Sequence, residues 1–232
     1  ERLKTDLITN VSHDIKTPLT SIINYVDLLK RENIQDPKIQ GYLDILEAKA
    51  QRLKHLTEDV VEASKISSGN ITMEYMNINF VEMINQTTGE FAEKFEKRNL
   101  QIVLNVPEKP VMVRTDGRRM WRVIENIYNN AAKYALEGTR VYADLIEKEH
   151  TVEFSLKNIS EQPLNISADE LTERFIRGDV SRSTEGSGLG LSIAKNLTEL
   201  QGGKFELYLD GDLFKVTIVF PKAVVGQSVT KS

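Results

Sequence analysis

Apolar residues open the chain at a helical interval. Leu3, Leu7, Val11, Ile15, Leu19, Ile22, Val26 and Leu29 recur every three or four positions, the stripe of a long amphipathic helix from Glu1 to Arg31 that stops near Asn33. Asp36-Pro37 is the start signal for a second helix. Its own stripe runs through Leu43, Leu46, Ala50, Leu53, Leu56, Val60 and Ala63 and ends near Ser67-Ser68-Gly69-Asn70. Two helices of about 30 residues, each about 45 Å long, form a hairpin too thin to bury both seams alone. The pattern therefore predicts a dimeric four-helix bundle.

After Gly69 the texture changes to short β-like runs alternating with helical patterns, which marks a domain boundary and an α/β unit beyond it. Ile71 to Tyr75, Gln101 to Val106 and Val111 to Arg114 read as strands, with a helix from Phe80 to Arg98 between the first two. A helix from Gly117 to Ala135 buries Ile124, Ile127, Tyr128, Ala131 and Ala135. Arg140 to Glu147 and Val152 to Asn158 form a hairpin turning at Glu149-His150. The polar, charged segment from Glu161 to Ser187 reads as a mobile loop or lid. A helix from Leu189 to Leu200 ends at Gly202-Gly203, and the strands Lys204 to Leu209 and Leu213 to Phe220 close the unit around an Asp210-Gly211-Asp212 turn. The expected division is 1–68 for the helical hairpin, 69–222 for the α/β unit and 223–232 for a disordered tail.

Composition narrows the chemistry. A chain of 232 residues is long enough for two domains, and a formal net charge of -4 gives no basic excess for nucleic acid. The absence of cysteine excludes disulfides, thiolate catalysis and cysteine-ligated zinc. No apolar run reaches the roughly 18 residues of a membrane span. Because Glu1 already lies inside a helical pattern, an upstream segment is expected to be missing, and any membrane attachment would come through it. None of the three histidines has a second at metal-ligand spacing.

Two constellations carry candidate reactivity. The first is Ser12-His13-Asp14-Ile15-Lys16-Thr17-Pro18-Leu19. At about 100° per residue, His13 lies two positions from both Val11 and Ile15, so its imidazole points away from the apolar seam. Thr17, one turn later, shares that face, and Pro18 is expected to bend the helix just beyond the histidine. The second lies on the Gly117 to Ala135 helix, where Asn126, Asn130, Lys133 and Tyr134 share the face opposite the apolar stripe. Asparagine oxygens suit a hard cation such as Mg²⁺, and a neighbouring lysine suits phosphate; a merely solvated polar face is the alternative. Gly186-Ser187-Gly188-Leu189-Gly190 then lets backbone N–H groups approach an anion in front of a helix N-terminus. Neither a Walker loop nor a Rossmann spacing is present.

Taken together, these residues resemble the two-component sensor histidine kinases over nearly the whole chain. Ser12 to Leu19 is similar to the family's phospho-acceptor box, Asn126 to Tyr134 to its N box, Phe175-Ile176-Arg177 to its F box and Gly186 to Leu191 to its G2 box. The resemblance implies a homodimeric phosphotransfer hairpin followed by an α/β sandwich ATP-binding domain. It implies His13 as phospho-acceptor, Asp14 as its charge partner and Thr17 as the residue that positions water for regulator dephosphorylation. It also implies Asn130 and Asn126 on Mg²⁺, with Lys133 and Tyr134 on phosphate or ribose. Arg177 would reach the γ-phosphate, and Gly186, Ser187, Gly188, Leu189 and Gly190 would line the phosphates of ATP. The partner so implied is a response regulator receiver domain, and the place a cytoplasmic region of a membrane-anchored parent. One departure stands out: Asn158-Ile159-Ser160 replaces the family's Asp-x-Gly, so Asn158 would read adenine without a formal charge. Two rival readings are an ATPase that shares this pocket architecture and a regulator-binding or phosphatase-only scaffold with weak ATP binding.

Overall fold

The computed structural model describes residues 2–67, 69, 71–164 and 189–223. They fall into two compact units, a helical one through Ile71 and a second from Thr72 that takes in Gly190 to Lys222.

In the first unit, α1 (Arg2–Arg31) and α2 (Pro37–Ser67) pack together as a hairpin. Asn33 ends the first helix in the left-handed region, with φ 52°. Asp36 starts the second, its Oδ1 accepting the Lys38 backbone N–H at 2.8 Å while Pro37 occupies the first helical position. Near the turn, Lys30 Nζ sits 2.8 Å from Asp44 and 2.6 Å from Glu47. Pro18 lies within an uninterrupted α1. The apolar stripes divide. Leu19, Val26, Leu43 and Ala50 are buried within the hairpin, whereas Ile15, Ile22, Leu29, Leu46, Leu53 and Val60 remain exposed.

The second unit runs β1 (Tyr75–Asn79), α3 (Phe80–Glu96), β2 (Gln101–Asn105), β3 (Met112–Asp116), α4 (Gly117–Tyr134), β4 (Arg140–Glu147), β5 (Thr151–Ile159), α5 (Gly190–Leu200), β6 (Lys204–Asp210) and β7 (Leu213–Pro221). Five strands form one sheet in the order β2-β4-β5-β7-β6, with β2 parallel to β4 and the other pairs antiparallel. The strands β1 and β3 form a separate antiparallel pair. Helices α3, α4 and α5 pack against β2, β5 and β6 respectively, with α4 between the other two, so an α/β sandwich results. Alternate residues of the central strands turn inward: Val141, Ala143 and Leu145; Val152, Phe154 and Leu156; Val216, Ile218 and Phe220. Tyr128 of α4 is fully buried, stacked on Phe154 with centroids 6.3 Å apart, and its hydroxyl is 2.8 Å from Thr88 Oγ1.

The first strand begins later than its β-branched residues suggest, at Tyr75 rather than Ile71. The cause is its partner: Tyr75 pairs with Asp116, where β3 ends because Asp116 caps α4, so nothing remains for Ile71 to Glu74 to pair with. At the other end, Lys222 is paired, bridging to Val113 and donating its N–H to the His150 carbonyl. Residues 224–232, the bulk of the expected tail, lie outside the described residues.

Candidate functional site

Helix α4 organises the site. Asp116 Oδ1 accepts the Arg119 N–H at 3.0 Å as its N-cap, and Asp116 Oδ2 accepts the Glu74 N–H at 2.9 Å. Burial opposes ionisation of Asp116, but these backbone donors and the Arg119 charge outweigh it and hold the carboxyl below the ordinary aspartate range. Gln201, just beyond α5, accepts from Thr115 and from the Asp116 N–H while donating to the Leu197 carbonyl, which ties the end of α5 to the start of α4.

The four polar residues of α4 do not share a solvent face. Asn130, Lys133 and Tyr134 are half-buried, but Asn126 is only 8% exposed. The reason is α5, which packs along α4 and brings Gly190 against the asparagine: a Cβ on Gly190 would lie 3.1 Å from Asn126 Oδ1. A larger residue there would have to push the Asn126 side chain aside by a few tenths of an ångström, so glycine eases the close approach of the two helices. Asn126 Nδ2 is buried without a hydrogen-bond partner, a cost normally avoided unless another group completes the site. Asparagine and the start of the glycine-preceded helix thus meet as one locus.

At the other end of α4 the chain turns to meet β5. Lys133 Nζ lies 4.7 Å from the centre of the Tyr134 ring. Leu136 N–H donates to the Ile159 carbonyl and Glu161 N–H to the Tyr134 carbonyl, both at 2.8 Å, and Ala135 bridges to Ser160. Asn158, buried in this corner, donates from Nδ2 to the Ile159 carbonyl at 3.1 Å. That bond fixes the amide so that its oxygen is the atom left to accept, and no described residue donates to it.

Two residues beside this corner carry no signal in the linear pattern. Lys94 of α3 donates to Asn129 Oδ1 at 2.5 Å. Desolvation holds its ammonium below the ordinary lysine range, Glu125 opposes this and the like charge of Lys133 adds to it. Arg98, in the turn between α3 and β2, reaches the last carbonyls of α4. Both depend on contacts across more than thirty residues of sequence.

In the helical unit, His13 lies in α1, and its side chain is outside the described set. Asp14 and Thr17, on either side of the next turn, are exposed. Arg177, Gly186, Ser187 and Gly188, with Phe175 and the rest of residues 165–188, also lie outside the described residues, whereas Leu189 and Gly190 are inside. Among the described residues no cluster of three or more His, Cys, Asp or Glu could hold a metal, and no helix is long and apolar enough to cross a membrane.

Comparison with known proteins accounts for this arrangement. Residues 3–69 match the His Kinase A (phospho-acceptor) domain, and residues 115–224 match the histidine kinase-, DNA gyrase B- and HSP90-like ATPase family. The chain belongs to the two-component histidine kinases. Among curated relatives of this kinase family, the sensor protein VanSC of Enterococcus gallinarum is 32% identical over 225 residues, covering 96% of this chain and 62% of that protein. The chain therefore spans less than two thirds of that relative's length. Full-length ShkA, solved in complex with AMPPNP, shares the fold with a TM-score of 0.77 at 20% identity, over 95% of this chain and 46% of that one. Histidine kinase ThkA, solved in complex with the response regulator protein TrrA, does so with a TM-score of 0.63 at 23% identity, over 96% of this chain and 64% of that one.

Proposed function

We propose that this chain is the catalytic core of a sensor kinase that uses Mg-ATP to phosphorylate His13 and then passes the phosphoryl group to an aspartate of a response regulator receiver domain. The observation that carries the reading is the contact of Asn126 with Gly190, because it joins the asparagine helix and the glycine-preceded helix into one anion-receiving locus. Residues 69–222 form the ATP-binding domain, and residues 1–68 form the dimerisation and phosphotransfer hairpin. Dimerisation is supported by the exposed Ile22, Leu29, Leu46 and Leu53, a set of large apolar side chains that a second hairpin would cover. A regulator partner is supported by the ThkA complex with TrrA. By the family's habit the chain is cytoplasmic, within a parent protein held at the cell membrane.

Each residue has a stated task. The neutral imidazole of His13 is a competent nucleophile near pH 7, and Asp14 holds the proton on its other nitrogen. The imidazole lone pair forms a bond to the γ-phosphorus while the bond from that phosphorus to the β–γ bridging oxygen breaks, its electron pair leaving with ADP. Lys133 and Arg177 spread the charge of the transferred group, Tyr134 contacts ribose or phosphate, and Gly186, Ser187, Gly188, Leu189 and Gly190 line the phosphates. Asn158 accepts from the adenine amino group through the oxygen that its bond to Ile159 leaves available. Thr17 positions water when the regulator is dephosphorylated.

The donor set suits Mg²⁺ only in company with phosphates, because asparagine oxygens are present at the site and no acidic cluster is found among the described residues. Asn130 supplies the accessible amide oxygen, and Asn126 supports it from within the packing against α5. When bound, Mg²⁺ supplies charge neutralisation at the transferring phosphoryl group.

Incubation with γ-labelled ATP and Mg²⁺ tests the reading. Wild type is expected to acquire acid-labile, alkali-stable label; His13→Ala should acquire none, and Asn130→Ala should lose at least about a hundredfold in rate, the scale of one lost transition-state contact. Label retained by His13→Ala would refute the assignment of the acceptor. Steady ATP turnover with no phosphohistidine in wild type would favour an ATPase, and absence of nucleotide binding would favour the scaffold.

A further inference from the structure

The last four carbonyls of an α-helix have no partners within the helix, and those of α4 are all accounted for. Ala131 O accepts the Ala135 N–H at 2.9 Å, and Tyr134 O accepts the Glu161 N–H at 2.8 Å. The two between them, Ala132 O and Lys133 O, accept from a single atom, Arg98 Nη1, at 3.0 and 2.5 Å. The other end of the same guanidinium, Nη2, lies 2.9 Å from Glu161 Oε2. No glycine turn terminates this helix: Ala135 is extended, with φ -67° and ψ 142°. The cap is therefore a side chain delivered from elsewhere. Delivery is set by the end of α3, where Asn99 takes the left-handed conformation at φ 51° and Leu100 N–H returns to the Phe95 carbonyl at 2.9 Å.

We infer that Arg98 is a positioning residue for nucleotide binding: its guanidinium caps α4 in place of a backbone motif and so fixes the last turn, from which Lys133 and Tyr134 project. The inference rests on the nucleotide reading proposed above and adds a residue to it. Two features make the effect directional. The guanidinium sits at the negative end of the α4 dipole, which would otherwise oppose a polyanion near the same turn. The Asn158 amide, by contrast, is oriented by its own bond to the Ile159 carbonyl and not by Arg98, whose guanidinium reaches the carbonyls of the turn that carries Lys133. An Arg98 substitution should therefore act on the phosphates of a nucleotide more than on its base.

The test measures displacement of a fluorescent ATP analogue from the full chain by Mg-ATP and, separately, by adenosine, in wild type, Arg98→Gln and Arg98→Lys. Arg98→Gln keeps hydrogen-bonding capacity without charge, and Arg98→Lys keeps charge without the planar fork. Expected results are a loss of about tenfold for Mg-ATP in Arg98→Gln, a change within about twofold for adenosine, and partial recovery in Arg98→Lys. Equal losses for the two ligands would reduce Arg98 to an ordinary structural residue and overturn the inference, as would unchanged Mg-ATP binding. If Arg98→Gln does not fold, the same comparison in Arg98→Lys decides, since loss of the two-carbonyl fork should still weaken Mg-ATP selectively. Failure of wild type to bind Mg-ATP would instead refute the underlying nucleotide reading.

Discussion

The two units solve the burial problem differently. The α/β unit closes its core within one chain: Phe80, Phe95, Tyr128, Phe154, Ile218 and Phe220 are all essentially inaccessible. Among its described stripe residues the hairpin buries only Leu19, Val26, Leu43 and Ala50 and leaves Ile15, Ile22, Leu29, Leu46, Leu53 and Val60 exposed. A sheet covered by helices on one face can turn alternate side chains from several strands onto one set of helices. Two helices alone offer each other only a single seam. The contrast sets a core closed within one chain beside a hairpin whose exposed apolar side chains suit the association proposed above.

The sharpest way to break this comparison is to cut a cavity in the unit claimed to be self-sufficient. Phe154→Ala removes a ring packed on Tyr128 and should cost about 3–5 kcal/mol. In calorimetry of the full chain this should lower the transition of the α/β unit at every protein concentration and leave the hairpin transition where it was. A concentration-dependent shift of the α/β transition would show that this unit also relies on a second copy.

The hairpin offers the converse test. Leu46 is 51% exposed in a single chain, so Leu46→Ala should cost less than about 0.5 kcal/mol if the hairpin stands alone. If a second copy covers it, the expected cost is about 2 kcal/mol, read as a hairpin transition that falls further on dilution than that of wild type. Equal transitions for variant and wild type at all concentrations would remove the case for dimerisation through this face.

What could be read from the chain alone follows the same divide between local and distant causes. Helix limits were legible wherever the stop or start lies in the sequence, as with Asn33, Asp36-Pro37 and Gly202-Gly203, because capping and left-handed turns are set by neighbouring residues. The burial of Asn126 was not, because it is imposed by Gly190 on a helix that arrives much later in the chain. The start of β1 was misplaced for a related reason: its own residues favour an extended conformation from Ile71, but the ladder is limited by where β3 gives way to α4. Arg98 left no trace, since a basic residue after a helix is ordinary and its partners lie on another element.

Acid provides a milder separation of the units. Asp116 and Asp144 both lie in the α/β unit and both have carboxyls held below the ordinary aspartate range. At Asp144, burial opposes ionisation, but hydrogen bonds from Asn105 and Lys157 and the nearby Lys157 and Lys215 charges outweigh it. A folded-state value below the unfolded one means that these groups add stability above the ordinary aspartate value and lose it as pH falls through their own. The α/β transition should therefore drop progressively below about pH 4, and Asp144→Asn should flatten that dependence. An unchanged pH slope in the variant would remove Asp144 as a contributor.

The smallest expected effect concerns a single hydroxyl at the centre of the α/β core. Burial pushes the Tyr128 phenol up to about 12, opposed by its hydrogen bond with Thr88, so the group stays neutral and its O–H needs a partner. Tyr128→Phe removes that bond and leaves Thr88, which can turn to water at the edge of α3, so the cost should be about 1 kcal/mol. Because the ring and its stacking on Phe154 survive, the loss should appear in the α/β transition alone, without concentration dependence, and nucleotide affinity should stay within about twofold. A larger loss of affinity than of stability would mean that this hydroxyl helps to set the position of α4, and that the self-sufficient core and the nucleotide site are less separable than their packing implies.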